Sequence, residues 1–152
     1  MAAFQKNVNL HKICKYLGIY DSLKLQHVDR DCIDEIHYKK TGDVYRIASG
    51  KENFIRCMSE YFPKEADGIR AYVEDIYKLT EEVPLFYLKE DDGGTRIHSE
   101  KFTWSADRLI NSHVTDPRLR ELLAYLNPLY GGVEGHTPAY VHALIHVLYI
   151  NG

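Results

Sequence analysis

The chain has 152 residues, of which 45% are hydrophobic, and this size and composition favour one globular domain. Its formal net charge is -3, and its lysines and arginines are scattered, which excludes the basic field of a nucleic-acid-binding protein. No apolar run approaches the ~20 residues that span a bilayer, and the first residues lack the apolar core of a secretory signal, so we expect a cytoplasmic protein. Three widely spaced cysteines without a CxxC motif predict free thiols.

The first third of the chain predicts a helix followed by a β-hairpin. Apolar residues at helical spacing indicate a helix over Val8–Leu17, with Gly18 at the position of its C-terminal cap. A turn with a short helical piece is expected at Ile19–Leu25. From there the apolar residues tend to alternate with polar ones, which predicts two strands at His27–Tyr38 and Val44–Ile47.

The next stretch, Lys51–Leu79, predicts two amphipathic helices that meet at a corner. Pro63 cannot donate a backbone hydrogen bond, and it moves Phe62 away from helical dihedral angles, so the first helix should end there. Ser49 and Glu52 have the spacing of a capping box, which predicts Ser49 as the N-cap of the first helix.

The remaining residues predict a mobile loop and further helices. An apolar stretch, Leu85–Leu88, is compatible with helix or strand, and the charged segment Lys89–Gly94 is typical of a mobile loop. Later helices are expected around Phe102–Val114 with Thr103 or Ser105 as the cap, after Asp116-Pro117, and after Thr137-Pro138, with a glycine-containing break at Asn127–Gly135 between the last two.

The order of these elements predicts the fold class. The helices follow one another without intervening strands, so a parallel βαβ sheet is not indicated. We therefore expect an α+β fold with a small antiparallel sheet beside five to seven helices.

Histidines on the last helix are the first candidates for chemistry. His142 and His146 are four residues apart and therefore share a helical face, and His136 lies just before that helix. A zinc protease would need the pattern HExxH, but Ala143 stands where that pattern has its glutamate. Two histidines packed in a core or lining a pocket are favoured over a metal site formed by the three.

Other candidate patterns favour structural roles. Gly131, Gly132 and Gly135 have the spacing GGxxG rather than GxGxxG, and no predicted strand precedes them, which argues against a dinucleotide loop. Cysteines within apolar patterns are expected to be buried thiols, and adjacent carboxylates are expected to be solvated charges. These residues are Cys14, Cys32, Cys57, Glu81, Glu82, Asp91 and Asp92.

Tyrosine is the one unusual feature of the composition, with twelve in the chain. Tyrosine suits surfaces that are apolar with a polar edge, either in an interface or in a pocket. One hypothesis from the residues alone is therefore a stand-alone module that binds a protein partner or an apolar ligand through a tyrosine-rich face.

Several segments, in order, resemble one family. The segment that carries most of the likeness is YRIASGKENFIRCMSEYFPKEADGIRAYVEDI, and KICKYLGIYDSLKL, SADRLINSHVTDPRLRELLAY and YGGVEGHTPAYVHALIHVLYING follow the same order. They are similar to segments of FAD-dependent phytoene desaturases, carotenoid isomerases and retinol saturases. The matching positions at the helical corner are Phe62, Pro63, Glu65, Gly68, Ile69 and Tyr72.

The resemblance covers the middle region of that family, without its Rossmann-type flavin-binding motif and its second flavin-binding segment. It implies that residues 1–152 form a single substrate-binding, or cap, domain that is inactive alone and lacks the flavin-binding domain. The parent protein would use FAD, with NAD(P) as a further candidate cofactor, to desaturate, saturate or isomerise a long apolar polyene or lipid-like substrate. Peripheral contact of the parent with a membrane is also implied.

The resemblance also predicts which residues contact the substrate, because the last helix would lead towards the flavin domain. The first candidates are Tyr130, Tyr140, His142, Leu144, His146 and Leu148, and the second are Met58, Tyr61, Tyr72 and Trp104. Core packing is an equally weighted alternative for each. Because the face that meets the flavin domain would be apolar, we expect self-association of the isolated chain.

Overall fold

The computed structural model describes residues 9–26, 28–90, 94 and 97–151. Val8 at the predicted start of the first helix, His27 at the predicted start of the first strand, and Asp91 and Asp92 lie outside the described residues. Of the predicted loop Lys89–Gly94, the structure describes Lys89, Glu90 and Gly94 but not residues 91–93.

The described chain begins with a short helix and a hairpin. Helix α1 is Asn9–Tyr16, and a 3-10 turn follows at Tyr20–Ser22. Strands β1 (Asp34–His37) and β2 (Val44–Ile47) pair antiparallel, with Asp34 opposite Ile47 and His37 opposite Val44.

The first strand is shorter than the prediction of His27–Tyr38. The chain turns at Asp29, whose side chain accepts a hydrogen bond from the backbone N–H of Asp31 at 2.9 Å. A turn satisfies these backbone groups locally, so they do not extend the ladder. The strand pair begins at Asp34, opposite Ile47, and just before it the N–H of Ile33 donates to the carbonyl of Ile47 at 2.8 Å.

The predicted helical corner is present. Helix α2 (Lys51–Tyr61) ends before Phe62, a 3-10 turn covers Pro63–Glu65, and helix α3 spans Ala66–Glu81. The predicted capping box is wrong, because the N-cap of α2 is Gly50, with φ of 91°. This backbone conformation favours glycine.

The second half of the chain contains short helices separated by turns. Leu85–Leu88 is neither a strand nor a continuation of α3, since a 3-10 turn covers Pro84–Tyr87. The side chain of Ser105, one of the two predicted alternatives, caps the helix that follows it. The side chain of Asp116 caps the helix that begins at the predicted start Asp116-Pro117. The remaining elements are a 3-10 turn at Glu100–Thr103, α4 (Ala106–His113), α5 (Pro117–Leu123), α6 (Asn127–Tyr130) and α7 (Ala139–Asn151).

Helices α3 and α7 form the centre of the molecule and pack extensively against each other. The N–H of Ala139 donates to the carbonyl of Trp104 at 2.8 Å, which joins the start of α7 to the segment before α4. Around this pair lies one core, and its fully buried larger members include Met58, Ile69, Tyr72, Ile76, Leu109, Leu119 and Leu123.

These elements confirm the predicted α+β fold with a small antiparallel sheet and helices. Among the described residues, no helix has both the length and the apolar character needed to cross a membrane. Cys14, Cys32 and Cys57 are free thiols, as predicted.

Candidate functional site

Helix α7 presents two different sides. Its buried side combines small residues with histidines, namely Ala139, His142, Ala143, His146, Val147 and Ile150. Its other side is apolar and only partly covered, and Leu148 on this side is 49% exposed. The small side chains of Ala139 and Ala143 leave room for α3, and the hydrogen bonds described next satisfy the ring nitrogens of the buried His142.

His142 bridges two tyrosines inside the core. Its Nε2 lies 2.7 Å from the hydroxyl of Tyr72 on α3, and its Nδ1 lies 3.1 Å from the hydroxyl of Tyr130 on α6. Tyr130 in turn donates to Oδ1 of Asn127 at 2.6 Å. Buried polar groups need such partners, so these side chains tie α3, α6 and α7 together.

The hydrogen-bond directions follow from counting protons. The single hydroxyl proton of Tyr130 is donated to Asn127, so the Tyr130 oxygen must accept from Nδ1–H of His142. Burial lowers the pKa of His142 to about 4, and the ring is therefore neutral at pH 7. Its Nε2 is then an acceptor, and Tyr72 donates to it.

His146 lies one turn further along α7, with its ring centre 4.1 Å from that of His142. It is also buried, but its Nε2 makes no hydrogen bond to the described residues. Burial is the main cause that holds the pKa of His146 well below its usual value, and the neighbouring His142 adds to it. The tyrosine rings of Tyr72 and Tyr125 stand edge-on to it at 6.4 and 6.1 Å.

This histidine–tyrosine cluster, defined as Tyr72, Tyr125, Tyr130, His142 and His146, has no exposed nucleophile. Burial raises the pKa of Tyr130 to about 12 and raises that of Tyr72 well above its usual value, so both phenols are protonated at pH 7. The cluster can hold and orient protons. Its evident physical effect is to fix the packing of the helices.

The hypothesis of a three-histidine metal site does not match these positions. His136 is exposed and precedes α7, whereas both ring nitrogens of His142 are engaged by tyrosines. Within the described ranges, no group of three or more histidine, cysteine, aspartate or glutamate side chains is placed to hold a metal ion.

Tyr140 lies in a different place from the cluster. Its ring stacks on Phe102 with centres 4.4 Å apart and an angle of 2°, and Phe102 stacks on His98 at 3.9 Å. This aromatic stack lines an open groove of about 540 Å³, together with Val83, Pro84 and Leu85.

The six first candidates for substrate contact therefore do not form one site. Tyr130, His142 and His146 belong to the buried cluster, and Tyr140 belongs to the aromatic groove. Leu144 and Leu148 lie on the outer side of α7, which we call the outer α7 face and define as Val141, Leu144, Ile145 and Leu148.

The second candidates are also dispersed. Met58 and Tyr72 are fully buried, and Tyr61 packs edge-on against Tyr45 at 5.1 Å. Trp104 stacks under the guanidinium of Arg108, whose centre is 4.0 Å from a Trp104 ring centroid.

Sequence analysis did not identify Tyr125 as a member of the histidine–tyrosine cluster, and it did not identify Asn127 as a neighbour of that cluster. Asn127 accepts from Tyr130 and also lines a surface groove of about 350 Å³, so it connects the cluster with the surface. The available signal was the spacing of Asn127 and Tyr130 on one helical turn, beside two histidines on the next element.

Comparisons of the chain with protein-family models, with curated proteins and with solved structures gave no match.

Proposed function

We propose that this chain is the substrate-binding region of an FAD-dependent oxidoreductase that acts on a long apolar polyene or lipid-like substrate. The observation that carries the proposal is the outer α7 face, where apolar side chains remain partly open while the histidine side of the same helix is buried. A ligand or a neighbouring domain of apolar character would cover such a face.

The flavin would be bound by another part of the protein, a proposal that the glycine segment before α7 supports. Gly131, Gly132 and Gly135 connect α6 with α7, and no strand leads into them as a dinucleotide loop requires. FAD would accept two electrons in a desaturation and supply them in a saturation, and NAD(P) is a candidate partner for its recycling. We also propose a cytoplasmic location, which the three free cysteines support.

Titration with all-trans-retinol tests the substrate class. We expect the ligand to quench the fluorescence of Trp104, and we expect Leu144→Ser with Leu148→Ser to weaken binding about tenfold, because two apolar contacts are lost. Leu129→Ser, at an exposed position outside both the outer α7 face and the aromatic groove, is the matched control and should change the affinity little.

Two results would contradict the proposal. One is the absence of saturable retinol binding by the unaltered chain, and the other is equal affinity in the double variant and the control. FAD added to the chain alone should remain unbound, since a stoichiometric yellow complex would place the flavin site here.

A second candidate function is a stand-alone module with a tyrosine-rich binding face. It is favoured by one observation, an aromatic group on the hairpin side where Tyr45 contacts Tyr38, Tyr61 and Phe62 at 5.7, 5.1 and 5.8 Å. The reading frame beyond residue 152 separates the two functions. Continuation into a glycine-containing flavin segment supports the oxidoreductase, and a stop codon supports the module.

A further inference from the structure

Ser49, which does not cap α2, has a buried hydroxyl without a partner. The residue is only 6% exposed, and its hydroxyl makes no hydrogen bond to the residues that the structure describes. Its backbone is held firmly, since its N–H donates to the carbonyl of Arg30 at 2.8 Å and its carbonyl accepts from Nδ2 of Asn53 at 3.3 Å. Buried polar groups are nearly always paired, so this hydroxyl is available to a ligand.

The same hydroxyl belongs to a residue that lines a cleft of about 690 Å³ at the start of α2. The first hydrogen bond of this helix runs from the N–H of Phe54 to the carbonyl of Gly50 at 2.8 Å. Before it, no side chain of the described residues caps the N–H groups of Lys51, Glu52 and Asn53, which also line the cleft. Uncapped N–H groups and the helix dipole together favour an anion.

Arg30 adds a positive charge to this cleft. It lines the cleft, and its exposed guanidinium forms no ion pair with the described residues, whereas Lys51 is paired with Glu74 at 2.8 Å. Asn151 lines the cleft from the end of α7. Its Oδ1 accepts from Tyr77 at 2.6 Å, which leaves its amide N–H groups as further donors. A guanidinium beside several N–H donors suits phosphate oxygens.

Two carboxylates on the cleft define the rest of the ligand. Asp31 accepts from Nδ2 of Asn53 at 2.9 Å, and Glu52 pairs with Arg70 at 3.2 Å. Each carboxylate retains further acceptor sites, which suit the hydroxyl groups of a ligand. Among the described residues, no apolar side chain lines the cleft, so a ligand that is polar throughout fits it.

We propose that this cleft binds a sugar phosphate, a polyhydroxylated phosphate monoester. The phosphate lies at the first turn of α2 and accepts from the Ser49 hydroxyl, the uncapped N–H groups and Arg30. The sugar hydroxyls donate to Asp31 and Glu52. The volume of the cleft is typical of small-molecule sites, and it exceeds what a phosphate alone requires. The proposal involves neither flavin nor polyene, so it stands or falls separately from the proposed function.

Titration with glucose 6-phosphate, followed by the backbone amide resonances of the unaltered chain, tests the site. We expect saturable shifts of the amides of Lys51, Glu52 and Asn53. Inorganic phosphate should shift the same amides but bind about tenfold more weakly, because it lacks the hydroxyls that reach the carboxylates. Glucose alone should not saturate the site.

Ser49→Ala should weaken the binding of glucose 6-phosphate at least about tenfold, because a hydrogen bond to a charged group is lost. Its matched control is Ser59→Ala, on the last turn of the same helix and outside the cleft. Arg30→Gln should weaken binding by a similar factor, and Lys24→Gln, at an exposed lysine outside the cleft, is its control.

Neither Ser49 nor Arg30 makes a side-chain hydrogen bond to the described residues, so both variants should keep the melting temperature of the parent. Glucose 6-phosphate should raise that temperature in the parent more than in either variant. Absence of saturable shifts overturns the proposal, and so does equal affinity of Ser49→Ala and Arg30→Gln with their controls. Equal affinity for inorganic phosphate, or equal shifts with sodium chloride at the same ionic strength, would indicate an adventitious ion only.

Discussion

His142 and His146 are both buried on α7 but have different hydrogen-bonding environments. His142→Leu would leave the hydroxyls of Tyr72 and Tyr130 without their partner in the core. We expect it to lower the free energy of unfolding by at least about 2 kcal/mol. His146→Leu removes an Nε2 that makes no hydrogen bond to the described residues, so its effect should stay within about 1 kcal/mol.

Urea denaturation of both variants at pH 7.5 measures this difference. The two substitutions remove the same side chain from the same helix, one turn apart, so differences in helix propensity cancel. Equal losses of stability would show that the tyrosine hydrogen bonds do not distinguish the two positions.

Acid should destabilise the folded chain through His142. Its pKa is about 4 in the folded protein and near 6.5 when unfolded, so the unfolded state binds protons that the folded state does not. The contribution of His142 to the free energy of unfolding is therefore fully present above pH 6.5 and is lost as the pH falls towards 4. The loss from this residue is about 3 kcal/mol. His146 acts in the same direction.

Denaturation midpoints measured between pH 7.5 and pH 4 test this dependence. His142→Leu should flatten the curve, whereas His136→Gln, at an exposed histidine before α7, should keep the parent's slope. A parent curve that is flat through this range would contradict the inferred protonation.

At the scale of elements, Gly68 explains how closely α3 approaches the end of α4. A Cβ added to Gly68 would collide with the backbone carbonyl of His113 and would crowd Val114. Gly68→Ala should therefore destabilise by about 1–3 kcal/mol, although alanine is ordinarily the better helix former.

The matched control is the opposite exchange on the same helix, Ala71→Gly at an exposed position. It should cost about 1 kcal/mol through helix propensity alone. A stabilised Gly68→Ala in thermal denaturation would mean that α3 and α4 are not in close contact.

Glu65 joins the corner after α2 to the start of α5. Its Oε1 accepts from the N–H of Thr115 at 2.9 Å, from the Thr115 hydroxyl, and from the N–H of Asp116 at 2.7 Å. These bonds, the Thr115 hydroxyl first, lower the pKa of Glu65. Glu65→Ala should lower the free energy of unfolding by about 1.5–3 kcal/mol, because backbone N–H groups lose a charged acceptor.

Glu60→Ala serves as the control in the same denaturation series, since Glu60 pairs with Arg56 on the exposed surface at 2.7 Å. Exposed ion pairs contribute little, so we expect a change below about 1 kcal/mol. If both substitutions cost the same, the link between the corner and α5 would be energetically unimportant.

The sequence predicted elements best where local chemistry decides them. The corner at Phe62-Pro63, the cap Ser105 and the helix start at Asp116-Pro117 depend on neighbouring residues and were confirmed. The predicted cap Ser49 failed because a capping pattern does not show that Gly50 adopts a positive φ. The last helix also showed apolar periodicity, but periodicity alone does not reveal that the side with His142 faces inward.

At the scale of the whole molecule, the outer α7 face should cause self-association of the isolated chain. Leu148→Asp would place a charge on the face, and we expect it to shift a dimer or larger species to monomer. Size-exclusion chromatography with light scattering measures this, with Leu85→Asp as the control at another exposed apolar residue. A monomeric parent at high concentration would refute the expectation.

The candidate site was harder to predict than the fold because it combines distant residues. Tyr72 and His142 lie 70 positions apart in the sequence, and no local sequence pattern predicts the hydrogen bond between them. The histidine spacing on α7 identified one side of this contact, whereas the tyrosine content predicted an interface or a pocket and not a buried partner for His142. Only the packing of α3 against α7 brings them together.

The N–H of Gly50 donates to the carbonyl of Ile150, and this hydrogen bond has a consequence for synthesis on the ribosome. It joins the start of α2 to the end of α7, while α3 requires α7 for its cover. Helices whose packing depends on residues much later in the sequence cannot complete their folding until those residues have been translated. The nascent chain should therefore remain sensitive to protease until α7 has emerged, and gain protection abruptly afterwards.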